Sequence, residues 1–198
     1  MKRHAIIVVD LGFGDAGKGS VVDALTERYK AHTVVRYNGG AQAAHTVVTP
    51  NGTAHTFSQW GSGTFSPGVR TYLSEYMLVD PLALINEERH LQEVGVPDGF
   101  SRMYIDERAL LVTPFTRSLN RLREYARGEA RHGSCGMGIG ETMEERFTQD
   151  EHALRIGDML DEERLRVKLD MQQTRMRKVA EQLLEGLLLE GEILDEWK

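Results

Sequence analysis

The segment Gly12-Phe13-Gly14-Asp15-Ala16-Gly17-Lys18-Gly19-Ser20 sets four glycines around one aspartate and one lysine. Glycines let a backbone curl until several N–H groups converge on one anion, and a helix starting there adds its positive end. A lysine at Lys18 is placed to reach the β- and γ-phosphates of a nucleoside triphosphate. In the usual phosphate loop a Ser or Thr follows that lysine and holds Mg²⁺. Here the residue is Gly19, so the metal must be held another way, and Asp15 inside the loop is the candidate. A plain strand-to-helix turn is the alternative, and the preceding strand and following helix favour the phosphate loop. His45 and a second glycine-rich loop, Gly133–Gly140, are the other places where proton transfer or anion binding could occur. Cys135 lies in that second loop. His4, His32, His90, His132 and His152 have no metal-ligand spacing, and His55 can be read either as functional or as structural.

The elements that must position these residues follow from periodicity. Ala5–Val9 is a β-branched apolar run and predicts a buried, parallel first strand. Val21, Val22, Leu25 and Tyr29 share one face of a helix from about Lys18 to Lys30. Thr33–Tyr37 reads as a second strand, completing a βαβ order. Asn38–Gly68 is rich in Gly, Ser, Thr and His and reads as a long loop of the kind that is functional or disordered. Tyr72–Val79 is a further strand, and Pro81 opens a helix that Gly95 and Pro97 close. Met103–Val112 is extended, Phe115–Arg127 helical, and Asp161 to about Glu190 a long amphipathic helix. That helix carries Leu165, Leu169, Met176, Val179, Leu183 and Leu187 on one side. The fold class is therefore α/β, P-loop-type, with a mainly parallel sheet and flanking helices, over residues 1–198 with no clear internal boundary.

These segments together are similar to the adenylosuccinate synthetase family. A loop of form G-D-x-G-K-G is typical of it. Arg36–Thr46 resembles its R-Y-x-G-G-H-N-A-G-H-T, Gly133–Gly140 its G-T-T-G-R-G-I-G-P, and Leu154-Arg155-Ile156-Gly157-Asp158 its L-R-V-G-D. The matches occur in order and correspond to roughly the N-terminal half of a family member. The resemblance implies a GTP-dependent ligase of purine biosynthesis that joins L-aspartate to IMP by way of a phosphorylated C6 oxygen, with Mg²⁺. It implies that Asp15 removes the N1 proton of the purine and binds the metal, and that His45 assists phosphoryl transfer as a proton donor. It also implies that Gly14, Asp15, Ala16, Gly17, Lys18, Gly19 and Ser20 wrap the GTP phosphates, with Ala44, His45 and Thr46 beside them. The Ala44 carbonyl would be a metal ligand. Gln42, Ala43, Ala44 and His45 would face the substrate base, and Ser134 and Cys135 the substrate phosphate.

Several positions depart from the family pattern. Ala16 replaces a glutamate, Ala44 a glycine, Gln42 an asparagine and Cys135 a threonine. The family's phosphate-binding arginine is absent in register near Gln149, although Arg146 is close. The GTP half of the site is better kept than the IMP half. A paralogue that ligates an amine to another O-phosphorylated substrate, or a non-catalytic nucleotide-binding subunit, are therefore the rival readings. The family's guanine-recognition motif and aspartate-binding loop have no counterpart. The chain is thus expected to need a complementary C-terminal half, or a homodimer partner. The leucine-rich last sixteen residues, which include Trp197, are expected to require cover.

Composition bounds the rest. The chain has 198 residues, 40% hydrophobic and 27% charged, with a net charge of −6, which argues against a nucleic-acid footprint. No apolar run approaches the ~20 residues of a membrane span. A single cysteine allows no internal disulfide and suits the cytoplasm.

Overall fold

The computed structural model describes residues 4–12, 16–42 and 44–185. They form two compact units, Met1–Ala109 and Leu110–Lys198.

In the first unit a parallel sheet forms around β4 (Arg70–Val79), with β1 (Thr33–Gly39) on one side and β5 (Met103–Ile105) on the other. Leu73, Met77 and Val79 of β4 are almost wholly buried, as expected of a strand covered on both faces. α1 (Lys18–Tyr29) precedes β1, and α2 (Pro81–Glu93) follows β4. α2 starts where the sequence says it must. Asp80 caps it by accepting from the Leu82 and Ala83 N–H groups at 3.0 and 3.1 Å, and Pro81 takes the first helical position. Gly95, at φ 93°, turns the chain away from its end.

The long stretch Asn38–Gly68 is not a plain loop. It contains an antiparallel hairpin of β2 (His45–Val48) and β3 (Ala54–Phe57), in which His45 pairs with Phe57. Its turn, Thr49–Thr53, is closed by two backbone bonds between Thr49 and residues 52 and 53. Strands of four residues bounded by polar residues leave little periodic signal, which is why the stretch reads as a loop.

The segment after β3 is anchored by charge. The Glu87 carboxylate of α2 accepts from three successive backbone N–H groups, those of Ser58, Gln59 and Trp60, at 2.8, 2.8 and 3.4 Å. Arg36 of β1 donates to the carbonyls of Ser58 and Trp60. Burial pulls the Arg36 guanidinium below its ordinary pKa, and Glu87 pushes it back up. Gln59 bonds both the N–H and the C=O of Asp80 at 2.8 Å. Every one of these groups is satisfied by another part of the same unit.

Ala5–Val9 is not a strand. The run is irregular and largely exposed, with Ile7 at 83%. An apolar segment becomes a parallel strand only when a sheet edge pairs with it and both its faces are covered. Neither condition holds here, and the first link of the expected βαβ order is missing. α1 also differs from its expected face. Gly19 and Thr26 are its buried residues, while Val21 and Tyr29 are exposed.

The second unit is helical. α3 (Pro114–Ala126), α4 (Ile139–Thr148) and α5 (Glu162–Glu185) pack around Leu119, Leu122, Leu154 and Ala180. Thr113 caps α3, and its hydroxyl donates to Gln172 at 2.6 Å; Gln172 in turn donates to Glu145 at 2.6 Å. This buried relay ties the start of α3 to the middle of α5 and to α4. Asp158, in the segment matching L-R-x-G-D, accepts from the Arg155 N–H, from Lys168 and from Arg164 at 2.8, 3.0 and 3.1 Å. Its role here is to seat α5. The expected continuation of α5 to Glu190, and the leucine-rich end that includes Leu187 and Trp197, lie outside the described residues.

Glu87→Ala strips the acceptor from three N–H groups of a buried segment. We expect it to lower the unfolding free energy by about 3–5 kcal/mol, read as a shift in the midpoint of urea unfolding. An unchanged midpoint would show that the carboxylate does not anchor the segment.

Candidate functional site

The candidate site of the first unit is built where α1 begins. Gly17 precedes the helix at φ 73°, a conformation glycine adopts without strain, and so directs the first turn. Ala16, Gly17 and Ser20 are exposed, and Lys18 is half-exposed. Among the described residues this end of the helix has no side-chain cap, and an uncapped helix N-terminus is a suitable place for an anion. Gly14 and Asp15 lie outside the described residues, as does Ala43.

Gly19 has a reason for being glycine that the phosphate-loop pattern does not supply. A Cβ built there would fall 2.4 Å from the Cβ of His45 and 2.9 Å from its Cγ. Real Cβ atoms do not tolerate such distances. The first turn of α1 thus packs directly onto the first residue of β2, and no Ser or Thr could follow the lysine in this arrangement. The two segments singled out in the sequence, Gly12–Ser20 and Arg36–Thr46, meet at this contact. Thr46 is the next residue of β2, and its hydroxyl lies 3.0 Å from that of Thr56 across the hairpin. Gln42 and Ala44 are exposed in the turn between β1 and β2. Lys30 is the one non-glycine residue with positive φ among the described residues. The Ala44 carbonyl is therefore presented without left-handed backbone.

Lys18 is not idle. Its Nζ donates to Asp10 Oδ2 at 2.5 Å, and Asp10 Oδ1 accepts from the Gly12 N–H at 2.9 Å. The bond from Lys18, followed by that from Gly12, holds the Asp10 carboxyl below the usual carboxylate range. Asp10 therefore occupies, with a carboxylate, the Lys18 ammonium and the Gly12 N–H. The sequence reading passed over this residue as the end of a strand. Its signal was an acid standing two residues before a glycine-rich loop.

His55 belongs to the core. It is buried, and its Nδ1 lies 2.6 Å from Nδ1 of His90, with the rings stacked. Its Nε2 is 3.5 Å from Glu87. It joins the hairpin to α2 and is not turned toward the α1 terminus.

Ser134 and Cys135 belong to the second unit, exposed in the loop between α3 and α4. Gly133, Gly136 and Gly138 there all have positive φ. A Cβ at Gly138 would sit 2.7 Å from the backbone of Thr116 and Arg117, so the start of α4 rests directly on α3. Glu124 Oε2 accepts from the Gly133 and Ser134 N–H groups at 2.9 and 3.2 Å, while Arg127 holds Oε1 at 2.5 Å. Burial pushes the Glu124 carboxyl up. The N–H of Ser134, Arg127 and the N–H groups of Gly133 and His132 outweigh it and leave the carboxyl below its ordinary value. Ser134 Oγ lies 3.2 Å from Asn120 Oδ1.

Among the described residues no group of three or more His, Cys, Asp or Glu could hold a metal ion, and no helix is long and apolar enough to cross a membrane.

Asp10→Asn removes the carboxylate that competes for Lys18. We expect affinity for a Mg²⁺–nucleoside triphosphate to rise about fivefold, as release of Lys18 from a solvent-screened pair allows. Lys18→Ala should reduce the affinity to background. Titration calorimetry measures both, and equal affinities for Asp10→Asn and the parent would contradict the competition.

A family model described as adenylosuccinate synthetase matches residues 7–197. The adenylosuccinate synthetase of Pelodictyon phaeoclathratiforme is 36% identical over 167 residues, which is 84% of this chain and 37% of that protein. That of Pseudomonas putida is 39% identical over 164 residues, again 37% of its length. The structure of the fully ligated adenylosuccinate synthetase from Plasmodium falciparum superimposes with a TM-score of 0.74 at 19% identity, over 93% of this chain and 40% of that one. The succinoaminodeoxyadenylate synthetase of cyanophage S-2L, bound to dGMP and dATP, superimposes with a TM-score of 0.59 at 24% identity, over 77% of this chain and 40% of that one. The two structures speak to fold alone. The chain spans about 37% of the length of the curated relatives it matches. With its phosphate loop, its His45 segment and its second glycine loop in family order, the chain belongs to the adenylosuccinate synthetase family.

Proposed function

We propose that this chain supplies the phosphate-handling part of a GTP-dependent ligase that joins L-aspartate to IMP in the cytoplasm, completed by a C-terminal half or a second copy. The observation that carries the reading is the contact of Gly19 with His45, which puts a histidine at the open N-terminus of the lysine-bearing helix. Phosphoryl transfer needs cationic and N–H groups around the transferring phosphate and a proton donor beside it. Lys18 and the first N–H groups of α1 supply the former, and His45 the latter. Asp15 takes the N1 proton of the purine, so that the C6 oxygen attacks the γ-phosphate. The amine of aspartate then displaces that phosphate.

The residues fit Mg²⁺ of the kind a nucleotide brings with it. Such ions take one or two carboxylates and otherwise phosphate oxygens and water, not a dedicated protein cage. Asp15 and the Ala44 carbonyl are the protein's share. The ion would neutralise charge on the transferring group. The need for a completing partner is supported by exposed apolar side chains in the first unit, Ile7, Val9, Leu11, Val35 and Tyr37, the last two on the edge strand β1.

A second reading keeps the chemistry and changes the nucleotide. Gln42 and Cys135 stand where the family has asparagine and threonine, both on the monophosphate side. A purine monophosphate other than IMP fits those changes, and dGMP, the nucleotide bound by the cyanophage protein, is one candidate. Offering IMP and dGMP side by side with GTP and aspartate separates the two readings by phosphate release.

Two variants test the core claim in the completed enzyme. His45→Asn should lower kcat by about 10²–10³-fold with little change in nucleotide affinity. Gly19→Ser restores the common phosphate-loop hydroxyl, yet it should cost at least as much, because its Cβ collides with His45. If Gly19→Ser turned over like the parent, the contact would have no part in catalysis.

A further inference from the structure

We infer that Glu124, seconded by Asn120, is the positioning residue that sets the Gly133–Cys135 loop to receive a phosphate monoester. The inference rests on the reading that this loop takes the substrate phosphate. The loop carries positive-φ glycines at 133, 136 and 138, so its own backbone does little to choose one conformation. Its order must come from outside, and α3 provides it. Glu124 Oε2 accepts from two successive N–H groups of the loop, and Arg127 donates to the other oxygen. A single carboxylate thus fixes two residues, with its charge balanced by a neighbour one helical turn away. That balance matters, because an unpaired carboxylate beside a phosphate site would repel the ligand.

Asn120, four residues earlier on the same face of α3, holds the next group. Its Oδ1 lies 3.2 Å from Ser134 Oγ, and its Nδ2 donates to buried Glu141 Oε1 at 3.3 Å. Glu141 sits in the first turn of α4, and Arg123 reaches both it and Glu144. The two N–H groups and the Ser134 hydroxyl are thereby tied back to α3. Among the described residues nothing accepts from the Cys135 N–H, and that side of the loop is exposed. Cys135 with its N–H is left as the donor surface, and the residues behind it form a fixed backing. A thiol is a weak donor, so at this position the backbone carries the recognition and its placement decides affinity.

The test uses two readouts. Hydrogen exchange on the 198-residue chain follows the Gly133 and Ser134 amides. Steady-state kinetics of the completed enzyme gives KM for the nucleoside monophosphate, KM for GTP, and kcat. Glu124→Ala should reduce protection of both amides, and raise the monophosphate KM about tenfold or more while GTP KM and saturated kcat hold. Glu124→Gln keeps one acceptor oxygen for the two N–H groups but turns an NH₂ toward Arg127, and should recover part of both losses. It also keeps the test alive if the alanine variant fails to fold. Unchanged protection in both variants would overturn the proposal at its geometric step. Lost protection with an unmoved monophosphate KM would overturn the positioning role while leaving the loop geometry standing. Cys135→Pro, which removes the proposed donor N–H, distinguishes the underlying reading. If it too left the monophosphate KM unmoved, the loop would not be the phosphate site, and this inference would fall with that reading.

Discussion

The first unit hangs on one buried carboxylate. Glu87 takes the N–H groups of Ser58, Gln59 and Trp60, and Arg36 clasps the carbonyls of the first and last. A carboxylate and a guanidinium removed from water are each costly, and they persist because both carboxylate oxygens of Glu87 and Nη1 of Arg36 find backbone partners. What they hold is the segment that the rest of the unit leans on. A Cβ at Gly61 would meet Val34 of β1 at 2.8 Å, and one at Gly63 would meet Thr26 of α1 at 2.6 Å. The segment therefore fixes how closely α1 sits. With Thr26 seated near one end of the helix, Gly19 comes down on His45 near the other. The arginine that opens the R-Y-x-G-G segment thus acts at a distance, by fixing the platform beneath the helix.

Both glycine loops share a device. In the first, Asp10 holds Lys18 and the Gly12 N–H; in the second, Glu124 holds two N–H groups. A loop rich in glycine and lined with donors is unstable as a bare structure, because its donors need acceptors and its backbone has many conformations. A carboxylate from the chain answers both needs. The two differ in their neighbours. Asp10 is bonded to the very lysine assigned to the nucleotide, so it must yield. Glu124 is balanced by Arg127, behind the loop, and has no reason to leave.

Legibility in the sequence followed the range of the interactions. α2 and α3 were readable because their starts are local: Asp80 with Pro81, and Thr113 with Pro114. β1 and β4 were readable from apolar runs that the sheet buries. Ala5–Val9 has the same composition as a buried strand, and composition cannot say whether a partner edge exists. The hairpin β2–β3 was hidden because its strands are only four residues long, and their Thr and His residues, with His55 buried, look like loop. In the candidate site, the glycine and lysine positions and His45 were visible from type and spacing. Asp10, Glu87, Asn120 and Glu124 were not. Their hydrogen-bond partners lie between 2 and 29 residues away, and a polar residue seen without its partner reads by default as a solvated one.

The glycine after the lysine draws these strands together. In the common phosphate loop a hydroxyl at that position holds the metal and the helix packs on whatever lies below. Here the hydroxyl position is occupied by the imidazole of His45, pressed against the bare α-carbon of Gly19. One site cannot hold both. The packing of His45 leaves no room for a hydroxyl side chain after the lysine, and on the proposed reading the acid that meets the cation would come from within the loop. Asp15 stands at the one acidic position inside it. The departure from the common pattern and the presence of the histidine are therefore a single structural choice, set by a contact too short for any side chain but hydrogen.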